Sequence, residues 1–384
     1  MEPMPELTPK QRMLNAYRGL PNDRPPVAPE FWCYYPAKVL GVDMIEFART
    51  PFHLALKAAF EKFGCEGWGI VGCGVPAPGV ERRSEEHWDG PDTLVRRTTI
   101  RTPIGELTGA TRQDRHEPAW ALERPIKDLD RDLPAWEHAT LGGDPGGADT
   151  AGMVRAWRQV GESYLLEASL GVPFFDYFAE ARQGGLEQAV FDFAERADRL
   201  GDLQRRYIDN RVRLAAALCE KTPFESFFIG CSWSCNSLIG PAMWRRWDRP
   251  VIAAVADELH RRGRLLHVHF HGRCIQTVPD FADIGIDCVC PFERPPGGDV
   301  AGAEGLRAVR RMLAGRTTFS GNVHTVETLI RGRPGDVRRE VREILDAFAG
   351  EPRVIVGTGD QVGRETPEEN LWAMIGQVQR VCGK

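Results

Sequence analysis

Eight short apolar runs, each closed by turn residues and most followed by a stretch of helical periodicity, constrain this chain more than any other feature. The runs are Pro26 to Phe31, Gly69 to Cys73, Tyr164 to Ala168, Ser226 to Gly230, Leu265 to His269, Asp287 to Cys290, Thr317 to Gly321 and Arg353 to Gly357. Several are β-branched or aromatic and apolar on both faces, which suits strands buried between a barrel interior and an outer ring of helices. Between them, apolar residues fall three and four apart in Phe52 to Phe63, Leu186 to Leu218, Ala242 to Leu259, Ala303 to Leu313, Val337 to Phe348 and Glu368 to Val381. This alternation predicts an α/β chain folded as a single (β/α)8 TIM barrel over residues 1–384, a length such barrels reach with insertions. An N-terminal helical segment is expected over about 1–25, and an insertion over about 80–150 where the strand–helix rhythm breaks. Inside that insertion Thr93 to Ile100 alternates polar with apolar, Arg101-Thr-Pro turns, and Ile104 to Thr108 returns, which reads as a β-hairpin at the barrel mouth.

The totals exclude several classes of function. Hydrophobic content of 42% and charged content of 27% belong to a chain that folds on its own. The formal charge is −5 and the arginines are interleaved with acids, so no nucleic-acid partner is expected. Met1 to Pro26 is charged and proline-rich, and the longest uncharged stretch, Ser226 to Trp244, is broken by Ser, Asn and Gly-Pro. Neither a signal peptide nor a membrane span is expected, and a cytoplasmic location follows. Ten scattered cysteines without a CxxC pair read as reduced thiols, more often small buried hydrophobes than ligands.

In barrels of this type the chemistry sits at the C-terminal ends of the strands. The polar residues there are Glu30 and Trp32, Glu167, the string Ser232, Trp233, Ser234, Asn236, then His267, His269 and His271, Glu293, Asn322, His324 and finally Asp360. Residues i and i+2 on a strand point the same way, so His269 and His271 can hold one ion from one side, with Asp360 as the carboxylate that closes a three-ligand set. Zinc is the expected divalent metal. His267 points with them but lies deeper, as a packed or supporting residue. Glu293 and His324 are the candidates for acid–base work, and Glu30, Trp32, Ser232, Trp233, Ser234, Asn236 and Asn322 for substrate contacts. The competing reading is a polar rim whose histidines only hydrogen-bond to neighbours, with Glu293 a surface acid and Trp233 part of the core.

An ordered series of short motifs resembles the uroporphyrinogen decarboxylase superfamily, nearest in pattern to its cobalamin-dependent methyltransferase branch. The series runs Asp23-Arg-Pro-Pro-Val27, Ala37-Lys-Val-Leu-Gly41, Thr102-Pro-Ile-Gly105, Leu238-Ile-Gly-Pro241, His269-Phe-His-Gly272, Ser320-Gly-Asn-Val323 and Thr366-Pro-Glu-Glu-Asn370. The resemblance implies a metal held where that branch has an H-x-C-G motif and a later cysteine; here His271 and Asp360 replace the two cysteines, and Glu293 resembles an acidic residue near the metal. It also implies a methyl group passed between a corrinoid, carried by a partner protein, and a small thiol or oxygen acceptor, with a homodimer left open. A metal-assisted decarboxylase, lyase or hydrolase acting on a small carboxylated substrate is the alternative, and a non-catalytic ligand-binding barrel the third. The arginine-rich substrate loop of the decarboxylase branch is not recognisable; Pro29-Glu-Phe-Trp-Cys33 stands there instead.

Overall fold

The computed structural model describes residues 6–381. Among these residues twelve strands occur: β1 (Val27–Ala28), β2 (Trp68–Val71), β3 (Glu81–Trp88), β4 (Thr93–Arg101), β5 (Glu106–Asp114), β6 (Trp120–Glu123), β7 (Leu165–Ser169), β8 (Ser226–Cys231), β9 (Leu265–Phe270), β10 (Cys288–Pro291), β11 (Thr318–Val323) and β12 (Val354–Thr358). Eight form one curled sheet in the order β1-β12-β11-β10-β9-β8-β7-β2, with every neighbouring pair parallel. That is a (β/α)8 barrel, and each anticipated apolar run supplies one of its strands. The first run shrinks to two residues because Pro25, Pro26 and Pro29 bring no ladder N–H. No ladder joins β1 to β2 among the described residues, and a side chain spans the seam instead. The buried Glu66 accepts the Val27 N–H at 2.9 Å and pairs with Arg24 and Arg12 at 2.6 and 3.1 Å.

The helices cover the outside of the sheet, and the largest apolar cluster lies between the two layers. Two expected helices are each divided in two. Leu186 to Leu218 becomes Gly185–Glu195 and Ala197–Lys221, and Ala242 to Leu259 becomes Gly240–Trp247 and Arg249–Arg261, where Pro250 belongs to a new first turn. The N-terminal segment is helical over Pro9–Arg18, started by a Thr8–Gln11 capping box. Residues 1–5 lie outside the described residues. This helix closes the N-terminal end of the barrel, clustering Met13 and Tyr17 with Trp68, Leu165, Phe228, Leu265, Cys288 and Ile355.

The insertion is larger than the expected hairpin. β4 and β5 are that hairpin, but they form the centre of a four-stranded antiparallel sheet β3-β4-β5-β6, followed by the helix Leu129–Leu141. β3 reads Glu-Arg-Arg-Ser-Glu-Glu-His-Trp and is exposed throughout, so it has no apolar alternation to mark it as a strand. One end of this sheet meets the loops after β1 and β12. The Arg115 carbonyl accepts from the Met44 N–H at 3.0 Å, and Glu117 accepts from the Tyr34 hydroxyl and from Arg364 at 3.1 Å.

Candidate active site at the barrel mouth

Strand alternation builds the site. In β9 Leu266, Val268 and Phe270 turn outward into the helix-facing core, while Leu265, His267 and His269 turn inward. Parallel register sets Cys288 beside His267 and Cys290 beside His269. Two inward columns of side chains therefore run up the barrel, apolar at the bottom and polar towards the mouth. Cys290 Sγ lies 3.1 Å from His267 Nε2 and 3.1 Å from His269 Nδ1. Below, His267 Nδ1 is 2.8 Å from the Glu167 carboxylate and 3.1 Å from the Tyr17 hydroxyl, and Glu167 also accepts from the Ser226 hydroxyl at 2.6 Å.

Above, His269 Nε2 and His271 Nε2 approach to 2.7 Å. His271 Nδ1 stands 3.0 Å from Glu293, whose same oxygen accepts the Gly272 N–H at 2.7 Å. Gly272 has φ of 69°, and a Cβ there would lie 2.4 Å from Ser237 Oγ, so glycine is required for this turn. Burial holds the His269 imidazolium well below its usual range, helped by the charges of His271 and His267. His269 is thus a neutral imidazole, with one ring nitrogen offering a lone pair to a donor or a cation. Burial acts against His271 as well, but the Glu293 hydrogen bond and the charges of Asp360 and Glu30 push it up to about 9. Glu30 goes the other way: burial and then the Asp360 carboxylate raise it to about 8.

These groups surround a cavity of about 310 Å³ lined by Glu30, Trp32, Trp68, Ile70, Ser169, Phe228, Ser232, His269, His271, Asp360 and Gln361, with no lysine or arginine among the described residues of its wall. Among the described residues, one group of three potential ligands has all its donor atoms within 4.8 Å of one another: Glu30, His269 and Cys290, all buried. The chemistry of the set fits a cation. Glu30 accepts no hydrogen bond at its carboxylate among the described residues, its nearest partner being His269 Nδ1 at 3.7 Å. In the central cavity the acids Glu30 and Asp360 face one base raised above neutral pH, His271, which also carries Glu293. A buried, donor-free carboxylate is costly unless it is neutralised by a proton or a cation.

The site residues expected from sequence divide into three sets. His269, His271, Asp360, Glu30, Trp32 and Ser232 share the central cavity. Asp360 therefore meets the histidines there, but the donors that converge are those of Glu30 and Cys290 with His269. Glu293 and His324 line an adjoining hollow of about 280 Å³ that also reaches Asp360. His324 Nδ1 accepts the Val326 and Glu327 N–H groups, starting the next helical turn, and its Nε2 lies 3.1 Å from the Pro295 carbonyl. The third set lies behind the wall. Ser234 donates to Asp248 at 2.5 Å, Asn236 reaches Thr277 at 3.4 Å, Asn322 donates to the Phe292 carbonyl at 3.0 Å, and Trp233 stacks under Arg124 at 5.1 Å. Sequence reasoning passed over Cys290. The signal was its place two residues after Cys288 at the end of an apolar run, level with His269 on the next strand.

An eight-stranded parallel barrel with a polar, ligand-rich mouth defines the class. Residues 195–381, the C-terminal half, match the profile of the family described as Uroporphyrinogen decarboxylase (URO-D). Curated relatives include uroporphyrinogen decarboxylases of Paraburkholderia phytofirmans, 21% identical over 185 residues, and of Thermus thermophilus, 26% identical over 187 residues. The chain spans about half the length of these relatives, 47% and 48%. Among solved structures, a methyltransferase from Methanosarcina mazei superposes over 98% of this chain and 99% of its own, with a TM-score of 0.66 and 17% identity, a likeness of fold. Residues 195–381 thus resemble the uroporphyrinogen decarboxylase family, and the whole chain shares its barrel fold with the methyltransferase.

Proposed function

We propose that this protein is a metal-dependent methyltransferase-like enzyme that moves a methyl group between a corrinoid and a small thiol or oxygen acceptor. The observation that carries the reading is the converging Glu30, His269 and Cys290 set, with its unpartnered carboxylate, at the mouth of a barrel that shares its fold with a methyltransferase. Glu30, His269 and Cys290 would hold the ion, with His271 beside them. A nitrogen, sulfur and oxygen donor set suits zinc, which would supply Lewis acidity to an acceptor. His271 and Glu293 hold a proton 3.0 Å apart at the cavity edge, where it can pass to or from an acceptor heteroatom. Trp32, Trp68 and Phe228 give the cavity an apolar side that excludes water and accepts a small organic group. A corrinoid carried by a partner protein would dock over this mouth.

The second reading is a metal-assisted decarboxylase or other lyase, favoured by the names of the curated relatives. A wall with two acids, no lysine or arginine among its described residues and His271 as its one raised base gives a substrate bearing several carboxylates few cationic partners, which favours the methyl-transfer reading. The test is purification with zinc present, metal analysis, and methyl exchange between methylcobalamin and a panel of thiols and phenols. About one metal per chain and transfer that vanishes in His269→Ala are expected. No retained metal, or turnover of a carboxylated substrate without any corrinoid, overturns the reading.

A further inference from the structure

We infer that the free edge of β3 is a self-pairing surface, through which two copies of this chain join their insertion sheets about a two-fold axis at Ser84. Among the described residues β3 is hydrogen-bonded to β4 on one side only, and all eight of its residues are exposed. Exposed edges invite pairing, and proteins usually blunt them with short strands, bulges, proline or charged side chains. The opposite edge of this sheet is treated in that way: β6 has four residues and its pairing with β5 is bulged. β3 is twice as long, pairs regularly with β4 and contains no proline, and its charges, Arg82 and Arg83 before Ser84 and Glu85 and Glu86 after it, are of opposite sign, so they attract a copy of the same strand set antiparallel while repelling strands of other pattern.

The register follows from backbone parity. Asp89 N–H bonds to the Thr93 carbonyl at 2.9 Å, and Asp89 continues the ladder in which Glu81 pairs with Arg101 and Trp88 with Leu94. Hydrogen-bonded pairs alternate along an antiparallel ladder, so the odd residues of β3 bond to β4, and Arg82, Ser84, Glu86 and Trp88 turn their N–H and C=O groups outward. A second β3 placed antiparallel with Ser84 opposite Ser84 pairs these outward groups with each other. That register also places Arg82 opposite Glu86, Arg83 opposite Glu85 and Glu81 opposite His87.

The neighbouring registers do not work. Centring the axis on residue 83 sets Arg83 against Arg83, and centring it on residue 85 sets Glu85 against Glu85, each a like-charge pair directly across the seam. In one copy Arg83 and Glu85 hold only each other among the described residues, at 2.9 Å and with side chains 81% and 68% exposed, so both can turn to a partner. Trp88, 48% exposed, would cover Val80 of the other copy at each end of the seam. Such an interface is isologous and closes at two copies.

The test is sedimentation velocity on the full chain across a concentration series, with four variants. Wild type is expected to pass from monomer to dimer. Arg83→Glu and Glu85→Arg, each alone, set like charges across the seam and should weaken dimerisation at least about tenfold. An equimolar mixture of those two variants should recover it, because one then carries two acids and the other two arginines. The double variant R83E/E85R should dimerise like wild type. Ser84→Pro removes the central outward N–H while leaving the bonds to β4, so it should abolish pairing without lowering the thermal midpoint of the monomer. A wild type that stays monomeric throughout, a dimer indifferent to the charge variants and to Ser84→Pro, or single variants that fail to recombine would each overturn the inference.

Discussion

Two acidic clusters lie either side of the loop after β8, each with a buried carboxyl and opposite in character. On one side Asp176 and Asp248 sit beneath the loop. Asp176 accepts the N–H groups of Ser232, Trp233 and Ser234 at 2.6, 3.1 and 2.8 Å, and Asp248 accepts the Phe175 N–H at 2.7 Å and the Ser234 hydroxyl at 2.5 Å. On the other side Glu30 faces the cavity with no donor at its carboxylate among the described residues. Burial raises the pKa of all three, Asp176 and Glu30 being pushed further by a neighbouring carboxylate. The difference lies in the partners. A buried acid surrounded by fixed N–H donors has finished its task, which is to shape a loop. One surrounded by other ligand atoms is left with charge to be answered from outside. The loop-shaping pair sets Ser232 in the cavity wall, so the first cluster supports the second.

The largest effect expected on this contrast is in the pH dependence of folding. Asp248 rises from 3.8 to about 7 in the folded protein. Its contribution to stability is therefore complete below pH 3.8 and is lost as pH rises through 7, by up to about 4 kcal/mol at roughly 1.4 kcal/mol per pH unit. Asp248→Asn can keep both hydrogen bonds, with Oδ1 accepting from Phe175 and the amide donating to Ser234. Urea midpoints of wild type should fall from pH 4 to pH 7 relative to those of the variant. Parallel curves would mean that Asp248 titrates normally. Asp176→Ala comes next, because it strands three backbone N–H donors of one loop and should lower unfolding free energy by about 3 kcal/mol. If it cost less than about 1 kcal/mol, the loop would be held by something other than the carboxylate.

Glu30→Gln gives the opposite profile and a smaller effect. At pH 4, where the Glu30 carboxyl is protonated in the folded chain and largely so in the unfolded one, stability of the metal-free protein should change by less than about 1 kcal/mol, since no hydrogen bond is lost. Zinc affinity, by competition with a chelator, should fall about 10- to 100-fold or more. A variant that lost stability and kept its zinc would erase the distinction between the clusters.

The parts of this picture that follow a period were legible in the sequence. Strands buried on both faces leave continuous apolar runs, and amphipathic helices leave three-and-four spacing, so barrel strands and most helices were readable to within a few residues. His269 and His271 were readable because polar residues at a barrel strand end are out of place in a core. β3 was not readable, because a charged exposed strand has no alternation and is formed by pairing with β4. Glu30 was placed at the mouth, but not as a neighbour of Cys290. That pairing depends on which strands lie side by side around a closed sheet and on register, neither of which any local window contains. Asp176 and Asp248 were missed for the same reason: nothing near either residue shows that both face the same loop, 56 residues on from one and 14 residues before the other.

The smallest effect separates positioning from binding. Glu167 touches nothing in the cavity, yet it fixes the ring that stands against Cys290. With Nδ1–H donated to the Glu167 carboxylate at 2.8 Å, His267 presents the lone pair of Nε2 to Cys290 at 3.1 Å, and so holds the sulfur in its place beside His269. Glu167→Gln retains a partner for Ser226 but can donate to Nδ1 as readily as accept from it, so the ring loses its fixed tautomer. Zinc affinity should fall about tenfold, towards the lower end of what supporting residues contribute. Tyr17→Phe removes only the second partner of Nδ1, 3.1 Å away, and should change affinity less than about threefold. The ranking Glu30, then Glu167, then Tyr17 is what a ligand, its orienting residue and that residue's neighbour would give. Equal losses at Glu30 and Glu167 would instead mean that zinc reads the whole interior column, with no boundary between the ion's shell and the core beneath it.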